Sequence, residues 1–129
     1  MHRLTVAAFA VVASCIIGFV PTLLLAHDDG RFADSPLKAW FDQLASGKGL
    51  CCSFADGISV ADPDWGTERV SAAGRAEIVF WVVVDGKKLM VPTEAVVTAP
   101  NRFGPAVVWP YQDVNGVTQV RCFMPGPGA

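Results

Sequence analysis

Residues 4–26 carry no charged side chain, and the chain turns abruptly polar at His27, Asp28 and Asp29. Met1, His2 and Arg3 give a short basic start ahead of this run. A charged start, an apolar stretch and a small residue such as Ala26 at the boundary make the layout of an export signal. Residues 1–26 are therefore expected to be a signal peptide, and the remainder to fold in the periplasm or outside the cell, where thiols oxidise. Two alternatives stay open. The run, 23 residues long, could span a bilayer, which takes about 20, and so be retained as an inner-membrane anchor. Val12, Ala13, Ser14 and Cys15 also resemble a lipobox that would be lipidated at Cys15, although residues 16–20 put apolar sequence where a polar tether belongs.

The 103 residues after Ala26 suffice for one domain with a modest core, expected over 27–124. All twelve acidic residues lie there, against nine Lys and Arg, which argues against a nucleic-acid binder. Residues 125–129 read as a flexible Pro/Gly tail. The expected fold class is α+β: one amphipathic helix packed on a small antiparallel sheet made of two hairpins. Asp34, Ser35 and Pro36 start the helix, Leu37, Trp40, Phe41 and Leu44 form its apolar stripe, and Gly47 ends it in a left-handed conformation. Residues 77–84 are rich in β-branched and aromatic side chains, turn at Asp85-Gly86 and return over 87–91. Their near-continuous apolar character predicts burial on both faces.

A second hairpin joins residues 106–114 to 117–123 through Asn115-Gly116, a signal for a two-residue type I′ turn. That turn sets Val114 opposite Val117, Tyr111 opposite Val120 and Trp109 opposite Cys122. It also places Thr118, Val120 and Cys122 on one face with Trp109 and Tyr111. Pro110 belongs on an edge or facing outward. Residues 57–61 can add a short strand before a turn at 62–66. Residues 93–97 read equally as a helical turn or a short strand, and 100–105 as a loop.

Beyond the leader the cysteines are Cys51, Cys52 and Cys122, an odd number for an exported chain. The leading arrangement is one disulfide from the doublet to Cys122, with Cys51 and Cys52 equal candidates. It closes a loop of about 70 residues, for which chain entropy gives roughly 4 kcal/mol. A bond within the doublet is opposed by geometry, since adjacent Cα atoms lie only about 3.8 Å apart. A zinc or thiol-redox centre on Cys51, Cys52 and Cys122 is the rival reading, but it lacks a fourth ligand and any Cys-x-x-Cys spacing.

His27 is the one histidine after the leader, so Ser-His or Cys-His chemistry would have to run through it. A copper brace at a freed amino-terminal His27 would need a second histidine. Asp62 and Asp64 suit a turn better than a calcium loop, and Lys48-Gly49 is no phosphate loop. No cofactor is expected. Trp65, Asn101, Arg102, Trp109 and Tyr111 are candidates for a surface contacting a sugar or a protein; the competing reading packs the aromatics into the core.

Residues 47–57 (GKGLCCSFADG), 107–111 (VVWPY) and 116–126 (GVTQVRCFMPG) resemble a group of small exported alphaproteobacterial proteins. These carry a Cys-Cys doublet and a C-terminal Arg-Cys-Phe segment, here Arg121, Cys122 and Phe123. Relatives often have a further cysteine soon after the doublet, where this chain has Gly57. The resemblance implies a bacterial envelope setting and brings no activity with it. The sequence thus points to a non-enzymatic envelope module, structural or binding, whose partner is another envelope protein or a cell-wall glycan. Membrane contact is expected only through residues 4–26, if they are not removed.

Overall fold

The computed structural model describes Gly30 and residues 32–128. The leader, Cys15 and His27 lie outside the described residues. The order of elements is α1 (Lys38–Phe41), β1 (Ala45–Ser46), β2 (Gly49–Leu50), β3 (Ile58–Val60), β4 (Trp65–Ala72), β5 (Arg75–Val84), β6 (Lys87–Met90), β7 (Ala106–Gln112) and β8 (Thr118–Met124). Two 3-10 turns stand at Phe54–Asp56 and Thr93–Ala95. The strands form two three-stranded sheets, β3-β7-β8 and β4-β5-β6, and the small β1-β2 hairpin, with every pairing antiparallel.

Helix is far scarcer than expected. The stripe from Leu37 to Leu44 makes one α turn, capped at Leu37 without a side-chain bond, while the Ser35 hydroxyl accepts from the Leu37 N–H. Gln43 and Leu44 then bond three residues back, to Trp40 and Phe41. The pairing of Ala45 with Leu50 draws the chain out of the helix before a second turn can form. A turn this short is unstable alone, because nucleation costs more than one bond returns. What holds it is burial of Phe41 and Leu44. Gly47 is not left-handed; Gly49 is, with φ 108°.

The sheet β3-β7-β8 is the middle layer. Ala106, Val108, Val120 and Phe123 pack on one face with Val60, Val82, Val84, Val91 and Ala95. Val107, Trp109, Cys122 and Met124 pack on the other with Phe41, Leu44, Cys51 and Val97. The strand buried on both faces is therefore β7, not residues 77–84. In β5 only Val82 and Val84 are buried, and Ile78 is 69% exposed. The long β4-β5 hairpin runs past the core, so its far half has no layer to bury against.

The hairpin at Asp85-Gly86 forms as expected, with φ 49° and 73°, the two positive values of a type I′ turn. A second turn of this kind, Ala73-Gly74 (φ 49° and 76°), joins β4 to β5. Strand β4 is not expected from the sequence, because its residues alternate weakly and Gly66 follows Trp65 at its start, so Trp65 lies in a strand and not in a turn. Residues 57–61 do supply β3, and residues 93–97 take the helical alternative as a 3-10 turn at Thr93–Ala95, followed by an isolated parallel bridge from Val96 to Phe123 rather than a strand.

The Asn115-Gly116 turn is a correction. Among these residues only Gly116 has positive φ, at 75°. Gly116 N–H bonds to the Asp113 carbonyl, and Val117 N–H closes on the Asp113 carboxylate. The loop is thus three residues long, which puts Gln112 opposite Thr118 and Tyr111 opposite Gln119. A bulge between Trp109 and Pro110 then resets the register, and Trp109 does lie opposite Cys122. Val120 consequently faces the core opposite to that of Cys122. Pro110 lies beyond the end of β3, where β7 has a neighbour on one side only.

Candidate functional site

Cys122 projects from β8 into the layer beneath α1, and Cys51 reaches it from just after β2. The two form a disulfide with Cα atoms 5.4 Å apart, and neither residue has any exposed surface. Its surroundings are tied together by backbone-directed bonds. Cys51 N–H donates to the Leu44 carbonyl at 2.9 Å, Ser46 Oγ to the Arg121 carbonyl at 3.1 Å, and Lys48 Nζ to the Val120 carbonyl at 3.1 Å. Arg121 Nε donates to the Leu50 carbonyl. Aromatic rings complete the enclosure: Phe41 stacks on Phe54 at 3.7 Å between centroids, and Phe103 and Trp109 close on Phe41.

The Cys51–Cys122 bond bears on the rival metal reading. Two of its three sulfurs are joined to each other, and a disulfide sulfur is not a thiolate ligand. Among the described residues, no group of three or more His, Cys, Asp or Glu side chains is placed to hold a metal ion. Among the described residues Cys52 is the free thiol, half-buried, with a left-handed φ of 78°.

The five proposed surface residues take different settings. Trp109 is interior, at 1% exposure, and its indole N–H donates to the Ser53 carbonyl at 3.0 Å, so it leaves the candidate surface. The side chain of Asn101 organises its own loop. Its Nδ2 donates to the carbonyls of Gly104, Pro105 and Pro125, and its Oδ1 accepts from the N–H groups of Phe103 and Gly104. Arg102 is exposed over the Trp40 ring at 5.7 Å. Tyr111 is 42% exposed, with Lys48 Nζ 5.8 Å from its ring centre.

Trp65 opens β4 on the other face of the middle sheet. It borders a cleft of about 260 Å³ lined also by Val60, Ala61, Asp62, Gly104 and Gly126. Sequence reading gave Asp62 to turn chemistry; its place at this cleft follows from the pairing of β3 with β7, which no local motif announces. A second, apolar groove of about 240 Å³ lies between Ile78, Phe80, Val91 and Val96.

The Asp113 carboxyl is held below the ordinary carboxylate range by N–H bonds from Val117 and Asn115 in its loop. No helix among the described residues is long and apolar enough to cross a membrane. The chain matches no family model, no curated protein and no solved structure.

Proposed function

We propose that the protein is a small exported envelope module that works by binding or by structure rather than by catalysis. The observation that carries this reading is the completely buried Cys51–Cys122 disulfide. Exchange requires a thiolate to reach a sulfur atom. Here both sulfurs sit behind Phe41, Leu44 and Trp109. Such a bond acts as a structural staple, and a persistent disulfide is consistent with residence outside the reducing cytoplasm.

The test is the intact mass of the protein taken from its native envelope, followed by alkylation without reductant. The expected result is loss of residues 1–26, one intramolecular bridge from Cys51 to Cys122, and one alkylated thiol at Cys52. Stoichiometric zinc or copper, or a reversible two-electron couple under native conditions, overturns the reading in favour of a redox or metal protein.

A further inference from the structure

The cleft beside Trp65 keeps its space through the choice of residues around it. Ala61, Gly104, Ala106 and Gly126 bring almost no side-chain volume to the wall, and Trp65 is its one aromatic group. The indole is fixed from within by Phe80 and Phe123, with ring centroids 6.3 and 5.9 Å away. At Gly126 a Cβ would stand 3.1 Å from Trp65 Cζ2, so backbone itself forms that side.

Two lining side chains carry polar atoms, the Asp62 carboxylate and the Trp65 indole N–H. Pro105 and Pro127 have no N–H to offer, and the Gly104 N–H is already donated to Asn101 Oδ1. Asp62 is exposed and takes part in neither of the two salt bridges among the described residues, Lys38–Asp42 and Lys88–Glu68. The cleft is therefore lined by an indole and one acceptor-only carboxylate, and no cationic side chain lines it. A sugar needs donors and acceptors together; an ammonium or guanidinium is donor-only and is attracted to an indole.

Resting on the reading of the protein as a binding module, we propose that this cleft receives one cationic side chain, lysine or arginine, of a partner protein. The charge lies over Trp65 and against Asp62, whose sign it complements. A volume of about 260 Å³ is below that of most drug-sized sites and suits a single long side chain.

The test titrates the oxidised, isotopically labelled protein with capped Gly-Lys-Gly and Gly-Arg-Gly peptides and follows the Trp65 indole N–H resonance, assigned through Trp65→Phe. A saturable shift is expected with at least one peptide. It should weaken about twofold to fivefold in Asp62→Asn, the range of an exposed ion pair, and also in about 1 M salt, where the screening length falls to about 3 Å. Asp62→Asn is an exposed, near-isosteric change, and an unaltered near-UV circular dichroism spectrum verifies its fold. The proposal is overturned by unchanged affinity in Asp62→Asn, by equal binding of a norleucine peptide, by an N-acetylglucosamine oligomer moving the resonance in place of the peptides, or by no saturation at all. A flat titration with the bridge and thiol intact removes this ligand and leaves the module. Loss of the bridge in native material removes the module reading itself.

Discussion

Replacing Cys51 and Cys122 together by alanine should cost more stability than any other pair of conservative changes in this chain. The bridge joins residues 71 apart. With a loop of that length, the chain-entropy relation gives about 4 kcal/mol at 25 °C. The variant also loses two buried sulfur atoms packed among Phe41, Leu44, Val107 and Trp109, for about 1–2 kcal/mol more. The sum, about 5–6 kcal/mol, rivals the whole stability of a marginal domain. Urea unfolding of the oxidised wild type and the double variant measures it. The midpoint should fall by roughly 2 M or more, and m should rise as the freed unfolded chain exposes more surface. Cys52→Ala, which keeps the bridge, serves as control. A loss under about 1 kcal/mol with m unchanged refutes the reasoning, because loop closure would then contribute nothing.

Asp113 should titrate below a free aspartate. The stability it contributes is then present above the unfolded pKa of about 3.9 and is lost as pH falls through the lower folded value; a carboxyl-carbon NMR midpoint at or above the free value contradicts this. At Cys52, with φ 78°, relief of about 1–2 kcal/mol of left-handed strain offsets the backbone entropy of glycine, so Cys52→Gly should melt at or above wild type while Cys52→Val melts lower. In Gly57→Ala the new Cβ meets Val107 Cγ1 at 2.9 Å and Trp109 Cε2 at 3.0 Å, both in buried side chains, and denaturant unfolding should show a loss of about 1–3 kcal/mol.

Features that depend on a few neighbouring residues could be read from the sequence. Asp85-Gly86 carries its own turn preference, and the turn forms where those residues stand. Cysteine number and compartment pointed to one bridge onto Cys122, but the choice of Cys51 over Cys52 depends on which thiol faces the sheet, and adjacent residues face opposite ways. The helix was overestimated because periodicity reports which side chains are buried, not what the backbone does between them. Leu37, Trp40, Phe41 and Leu44 all join or border the same core in one α turn and a hairpin entry. Strand β4 was invisible because it is half exposed, and its pairing rests on an Ala-Gly turn that local preference does not favour.

The candidate surface was harder still, because the face on which an aromatic lies depends on register. A shift of one residue turns a strand's whole side-chain set over. The Asp113 loop introduces such a shift, and the bulge beside Pro110 reverses it. Two observations show that the bulge is built into the core. Val120 and Phe123, an odd distance apart, share one cluster, although a regular strand would send them to opposite faces. The carbonyls of Val120 and Arg121 are successive, yet both meet the segment around the β1-β2 turn, through Lys48 and Ser46. In a regular strand they would point apart. The bulge therefore puts Val120 in the same core as Phe123 and keeps Cys122 on the side of Cys51, while Ser46 of β1 and the turn residue Lys48 bond the β8 carbonyls. Trp109 shares the face of Val107 by alternation along β7 and is buried there, whereas Trp65, in a polar stretch of sequence, borders a cleft.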